Sequence, residues 1–271
     1  MNLQRVERAD DARLRSYELV AQPGALREAG WFVAEGRLVV ERLLGERRYQ
    51  LESVLLNEAA LAALEPALRE ATAPVYLCPN PLFEALTGYD FHRGCLALVR
   101  RPPPLDWRAL AERARTLVVL EGVANHDNIG GVFRNAAAFG ADGVLLDPRC
   151  ADPLYRKAIR TSMAASLRVP FATIGAEGAR WPDCLGELSA CGFELIALTP
   201  GAGARELEAF AGGPRSERLA LLFGSEGAGL SAPALAACRE RVRIAIRPAV
   251  DSLNLAVACG IVLQRLLPCC R

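Results

Sequence analysis

The stretch LVVLEGVANHDNIGGVFRNAAAFG, residues 117–140, decides the architecture of this chain. It opens with an apolar, non-alternating run at 117–120, the signature of a strand buried on both faces. A helix then begins at Asn128 and runs to about Phe139, with Gly140 placed to end it. The same unit recurs downstream. Residues 144–146, 169–171, 194–198, 219–223 and 242–246 read as further buried strands. Residues 181–191, 231–238 and 252–267 read as helices, the last with Ser252 as its N-cap. Asp152-Pro153 reads as an N-cap followed by proline at the first helical position. Buried strands alternating with helices predict an α/β fold with a parallel sheet covered on both faces. In such sheets ligands sit beyond the carboxyl ends of the strands, so the informative residues are those just after each strand.

Working back towards the N-terminus, Arg100-Arg101-Pro102-Pro103-Pro104 is the clearest break. Successive prolines continue neither a helix nor a central strand and form a stiff spacer. Before it, strands at 54–56, 75–77 and 96–99 alternate with helices at 36–44, 59–70 and 81–87, with Gly88 placed to end the last helix. The expected domains are a small α/β domain at 1–100, a proline-rich linker and lead-in helix at 101–115, and a larger α/β domain at 116–271.

A length of 271 residues suits two domains, and 52% hydrophobic residues can fill two cores. A net charge of +1 lends no support to binding nucleic acid by bulk charge, so an RNA ligand, if there is one, must meet a local basic patch. The first fifteen residues carry no apolar stretch of signal-peptide type, and the apolar segment 252–267 is too short and too polar to span a bilayer. A soluble, cytoplasmic protein is expected. Nine cysteines without a CxxC pair, beside two histidines, read as small buried hydrophobes in a reducing compartment. No metal is expected. Cys269 and Cys270 are adjacent and poor disulfide partners.

Three strand-to-loop segments carry chemistry. The first is Asn125-His126-Asp127-Asn128-Ile129-Gly130-Gly131-Val132-Phe133-Arg134-Asn135, where the glycines permit close approach of a ligand or a second backbone. The second is Phe223-Gly224-Ser225-Glu226-Gly227-Ala228-Gly229, an apolar strand entering a loop with three glycines and one acid. The third is Ile244-Ala245-Ile246-Arg247-Pro248-Ala249-Val250-Asp251-Ser252-Leu253-Asn254, leading into the C-terminal helix. Each alone also reads as a capped turn between strand and helix. A nucleotide-binding oxidoreductase would need a GxGxxG fingerprint after its first strand and an acid about twenty residues later, and this chain has neither in that form.

Together, the Asn-x-Gly-x-x-x-Arg of Asn128 to Arg134, the Phe-Gly-Ser-Glu-Gly of Phe223 to Gly227 and the Ser-Leu-Asn of Ser252 to Asn254 resemble the SpoU (TrmH-type) branch of the SPOUT RNA methyltransferases. The resemblance covers roughly residues 117–267, and Phe32-Val33-Ala34-Glu35-Gly36 extends it to the family's small substrate-binding domain. Ser225 stands where that family often has Asn, and Ala245 where it often has Pro; neither change removes a group the chemistry needs. The resemblance implies a C-terminal SPOUT domain with a deep trefoil knot near Thr199, Gly224 and Ile246, and a homodimer. It implies transfer of a methyl group from S-adenosylmethionine to a ribose 2′-hydroxyl, leaving S-adenosylhomocysteine. Asn128, Arg134, Glu226, Ser252 and Asn254 would be catalytic, and Thr199, Gly224, Ile244, Ile246 and Leu253 would hold the cofactor. His126 can be mistaken for a catalytic base and stays outside that set. Arg37, Arg42, Arg47, Arg48 and Arg93 are candidate RNA contacts, although any one of them also reads as part of a solvated helix face. The two-domain layout favours ribosomal over transfer RNA. The competing expectation keeps the fold and loses the chemistry: an RNA-binding or ribosome-assembly protein.

Overall fold

Twelve short strands form in the computed structural model, which describes residues 1–46, 48–87, 94–176, 178, 180–201, 203–247 and 249–267. They are β1 (Asn2–Arg5), β2 (Trp31–Glu35), β3 (Leu51–Leu56), β4 (Pro74–Leu77), β5 (Cys95–Arg100), β6 (Thr116–Glu121), β7 (Gly143–Leu146), β8 (Phe171–Thr173), β9 (Glu194–Leu198), β10 (Arg205–Glu206), β11 (Leu219–Gly224) and β12 (Glu240–Arg243). The chain divides into two units, Met1–Pro103 with Leu154–Leu167, and Pro104–Pro153 with Arg168–Arg271.

The first unit holds a five-stranded sheet in the order β1-β4-β3-β5-β2. β1, β4 and β3 run parallel, while β5 lies antiparallel between β3 and β2. Leu14, Tyr17, Val33, Leu55, Phe83, Leu96 and Leu98 build one of its cores. The Tyr17 hydroxyl and Ser53 Oγ, 2.9 Å apart, satisfy each other in the interior.

The second unit holds a seven-stranded sheet in the order β10-β12-β9-β11-β6-β7-β8, parallel throughout. Every residue of β6 and β7 is buried, as non-alternating apolar runs require when both faces are covered. Leu117, Val119, Leu145, Leu195, Ala220 and Leu222 pack on one side with Trp107, Leu185 and Leu188 from flanking helices. No described helix is long and apolar enough to cross a membrane.

The structure corrects several local expectations. The helix after β6 spans His126–Phe139 and is capped by Asn125, whose Oδ1 accepts from the Asp127 amide at 2.8 Å. Asn128 therefore lies inside the helix, and it is buried. Gly140 ends it at φ 78°, a left-handed conformation that glycine adopts without strain. A turn follows Asp152, and the next helix is Arg156–Thr161 with Tyr155 at its N-cap. That helix belongs to the first unit, although the sequence pattern assigned it to the second. Glu35, buried at the end of β2, draws it there through Arg156 at 3.0 Å and Arg160 at 3.4 Å. The C-terminal helix is Leu255–Leu266, capped by Asn254 and not by Ser252. Strand β12 stops at Arg243, which leaves Ile244 and Ile246 in the following loop. Gly88 and the Cys269-Cys270 pair lie outside the described residues.

Burial pushes the thiols of Cys78, Cys95, Cys150 and Cys238 up to about 12, so all four are protonated at neutral pH and inert as nucleophiles. Among the described residues no cluster of His, Cys, Asp and Glu has the makings of a metal site.

Helices His126–Phe139 and Leu255–Leu266 meet where Gly131 faces Ala256. A Cβ at position 131 would lie 2.5 Å from the Ala256 Cβ. Propensity alone favours alanine over glycine inside a helix by about 1 kcal/mol, but overpacking costs about 1–3 kcal/mol. Gly131→Ala is therefore expected to lower stability. Gly186→Ala, in helix Cys184–Ala190 with open space at its Cβ, is expected to raise it. Urea unfolding of both variants checks the pair, and a stabilised Gly131→Ala would mean that these two helices have room to move apart.

Candidate active site

A parallel sheet gathers all its strand carboxyl ends at one edge. Here β12, β9, β11 and β6 are consecutive neighbours, so the loops that follow them share that edge. The loops after β9, β11 and β12 enclose a pocket of about 600 Å³, within the range of small-molecule sites. The loop after β9 contributes Thr199 and Pro200, the loop after β11 contributes Gly224 to Gly227, and the loop after β12 contributes Ile244, Ile246 and Asp251 to Asn254.

All five residues expected to hold a cofactor, Thr199, Gly224, Ile244, Ile246 and Leu253, line this pocket. So do Glu226, Ser252 and Asn254 of the expected catalytic set. Asn128 and Arg134 stand on helix His126–Phe139 and do not line it; Asn128 is buried and Arg134 exposed.

Asn254 joins the two groups. Its Nδ2 donates to Asn128 Oδ1 at 2.9 Å and to Glu226 Oε1 at 3.1 Å. Its Oδ1 accepts from the amides of Ala256 at 3.0 Å and Val257 at 3.3 Å, which caps the C-terminal helix. Both donors and both lone pairs of the side-chain amide are thus in use. An amide is the side-chain group that can give to two carbonyl-type oxygens while accepting from a helix end. Ser252 is left exposed beside the pocket.

The loop after β11 is tight. Gly229 N donates to Ser225 O at 3.0 Å, and a Cβ on Gly224 would lie 2.1 Å from the Gly229 carbonyl carbon. Only glycine fits there.

The site residues named from sequence leave out the pocket's apolar wall, Leu198, Phe223, Val242 and Leu255, and the acid Asp251, although Phe223 and Asp251 fall inside the chemistry-bearing segments. Each of the four wall residues is the last or next-to-last of a strand or the first of a helix, so strand ends as such were the available signal. Of the candidate RNA contacts, Arg37, Arg42 and Arg48 are described, and they belong to the first unit. Arg37 is exposed at the start of helix Arg37–Gly45. Arg42 donates to the Met163 carbonyl, which makes it part of that unit's own packing. Arg48 stacks on Tyr49 with its guanidinium 5.1 Å from the ring centroid. Arg47 and Arg93 lie outside the described residues.

Residues 115–264 match the SpoU rRNA methylase family. The chain is 41% identical over 229 residues to an uncharacterised tRNA/rRNA methyltransferase of Mycobacterium tuberculosis, covering 84% of this chain and 78% of that one. It is 25% identical over 266 residues to the 23S rRNA (guanosine(2553)-2′-O)-methyltransferase RlmP of Bacillus subtilis, covering 97% and 99%. Its fold is that of an AdoMet-bound rRNA methyltransferase from Sinorhizobium meliloti, with TM-score 0.80 over 98% of both chains at 22% identity. The fold is thus one seen in a solved rRNA methyltransferase. This chain belongs to the SpoU rRNA methylase family.

Proposed function

We propose that the protein transfers a methyl group from S-adenosylmethionine to a ribose 2′-hydroxyl of structured RNA in the cytoplasm, ribosomal RNA in preference to transfer RNA. The observation that carries this reading is the Asn254 bridge. It ties a pocket suited to the cofactor to the helix that bears Asn128 and Arg134. The full-length relative from Bacillus subtilis, named for ribose methylation of 23S rRNA, supports the choice of atom and of RNA class.

The pocket suits S-adenosylmethionine chemically. Leu198, Phe223, Val242 and Leu255 offer apolar contact to an adenine. Glu226 and Asp251 are its charged residues, with no Lys or Arg among the described lining residues. That balance attracts a cation and repels a dinucleotide's diphosphate. When bound, S-adenosylmethionine supplies a methyl group made electrophilic by its sulfonium. Thr199, Gly224, Ile244, Ile246 and Leu253 would hold it.

The chain's own task is to bring a ribose oxygen into line and to ease loss of the hydroxyl proton. Positioning of that kind is worth about 7–11 kcal/mol. Arg134, as a planar cation with forked donors, grips the neighbouring phosphate and stabilises negative charge growing on the ribose oxygen. Asn128 and Glu226, locked through Asn254, hold their faces of the site, and Ser252 adds a neutral hydrogen bond. The knot near residues 199, 224 and 246 belongs to the same proposal, as does a small N-terminal domain at 1–100 that selects the RNA. A homodimer is supported by Val257 and Ile261, one turn apart on the C-terminal helix and 51% and 38% exposed.

Asn254→Asp separates capping from bridging. The aspartate still accepts from the amides of residues 256 and 257, but it has nothing to donate to Asn128 and it repels Glu226. The cap is expected to survive, the unpaired Asn128 oxygen to cost about 1–3 kcal/mol, and transfer to fall at least about tenfold. Asn254→Ala also loses the cap, costing about 0.5–2 kcal/mol. Normal transfer by Asn254→Asp would mean the bridge is dispensable.

The reading itself is tested with labelled S-adenosylmethionine and separated ribosomal and transfer RNA from cells lacking the protein. Label in an alkali-resistant dinucleotide from ribosomal RNA is expected. Cofactor binding without label in either RNA would favour an RNA-binding or assembly role.

A further inference from the structure

Glu121 is the last residue of β6 and is only 3% exposed. A carboxylate removed from water needs donors, and this one has three. Oε2 accepts the backbone N–H of Ser231 at 2.8 Å. Oε1 accepts from Trp181 Nε1 at 2.7 Å and from Arg149 Nη2 at 3.3 Å. Arg149 is itself held by the buried Asp147, whose Oδ2 lies 2.9 Å from Arg149 Nε. That pairing alone would make Glu121 an internal anchor.

Its place in the sheet adds something. Glu121 is the register partner of Gly224 across β6 and β11. The residue paired with Gly224 by its backbone therefore holds the Ser231 amide by its side chain. Both ends of the loop between them are fastened to one amino acid. Gly224, Ser225, Glu226, Gly227, Gly229 and Leu230 of that loop line the pocket, and Glu226 accepts from Asn254.

We propose that Glu121 is a positioning residue, whose buried carboxylate closes the Gly224–Ser231 loop and so sets where the Gly224 peptide and Glu226 stand in the pocket. This rests on the pocket being the S-adenosylmethionine site. Glu121 touches neither cofactor nor RNA in this role; it acts through the loop. Glutamine at 121 keeps the shape but has one acceptor oxygen; the two donors at Oε1, Trp181 and Arg149, hold that oxygen, so the NH2 faces the Ser231 N–H and that bond is lost.

The experiment compares wild type, Glu121→Gln and Trp181→Phe by calorimetry with S-adenosylmethionine and by amide hydrogen exchange without it. Trp181→Phe removes a donor to Oε1 and leaves the Ser231 bond in place. In wild type the Ser231 amide is expected to exchange as slowly as those of β11. In Glu121→Gln, exchange across 225–231 and the Kd for S-adenosylmethionine are each expected to rise at least about tenfold, the size of a lost hydrogen bond to a charged group, with β11 unchanged. Trp181→Phe is expected to keep the wild-type Kd. An unchanged Kd in Glu121→Gln, or equal weakening in both variants, overturns the proposal and leaves Glu121 a structural anchor. So does a wild-type Ser231 amide that exchanges like an exposed loop, a result that holds even if Glu121→Gln fails to fold. A wild type that binds no S-adenosylmethionine instead sinks the cofactor reading, and the exchange data then still decide whether Glu121 closes the loop.

Discussion

Arg134→Ala is expected to lower methyl transfer by about 10²–10³-fold or more, the loss seen when one donor to developing negative charge is removed. Its Kd for S-adenosylmethionine is expected to stay within about twofold, because a contact made only in the transition state leaves ground-state binding intact. The structure gives the reason for that split. Arg134 is exposed on helix His126–Phe139 and does not line the pocket. In the proposed reading this planar cation with forked donors serves as a phosphate clamp and charge stabiliser. Lysine keeps the charge but loses the planar fork, so Arg134→Lys should fall between wild type and alanine. Single-turnover transfer and calorimetry on the same preparations make the comparison. Loss of cofactor binding in a folded Arg134→Ala protein would remove the residue from this role.

Gly224→Val carries the second large effect, in the opposite sense: cofactor binding is lost first. A Cβ there would lie 2.1 Å from the Gly229 carbonyl carbon, 2.3 Å from its oxygen and 2.3 Å from the Leu230 nitrogen. All three are backbone atoms, so no rotamer change makes room. Either β11 parts from β6 or the 225–229 turn opens, and both displace the pocket wall. Overpacking of this kind costs about 1–3 kcal/mol, occasionally more, and S-adenosylmethionine affinity should fall by at least about tenfold. Gly227→Ala is the comparison. Gly227 has φ 89° and open space at its Cβ, so alanine brings backbone strain of about 1–2 kcal/mol without a collision. Its effect should appear as lowered stability with a smaller change in Kd. Equal Kd values for Gly224→Val and wild type would mean that the loop after β11 does not shape the cofactor site.

These two residues were legible in sequence, and the reasons are local. Gly224 follows an apolar run and precedes an acid and two more glycines; Arg134 sits at fixed spacing from Asn128 in a strand-loop-helix unit. Hydrophobic period and chain order determine such units, so the parallel α/β class and the three loop segments could be read directly. Cap assignment could not. Ser252 and Asn254 are both good N-cap types, and what selects Asn254 is the need to cap residues 256 and 257 while also reaching Asn128 and Glu226, which stand 126 and 28 residues away. The helix Arg156–Thr161 read as part of the larger domain by chain order, yet Glu35 on a distant strand recruits it to the first unit. Glu121 was passed over because nothing beside it in sequence explains a buried acid; its donors Trp181 and Ser231 lie 60 and 110 residues further on. The sequence by itself determined most of the segments that become strand, loop and helix, though not β1, β2 or β10, because those choices depend largely on neighbours three or four residues away. Only the tertiary structure decided which polar side chains bind one another, because desolvation leaves each buried donor and acceptor to be satisfied by whatever the folded chain brings within about 3 Å.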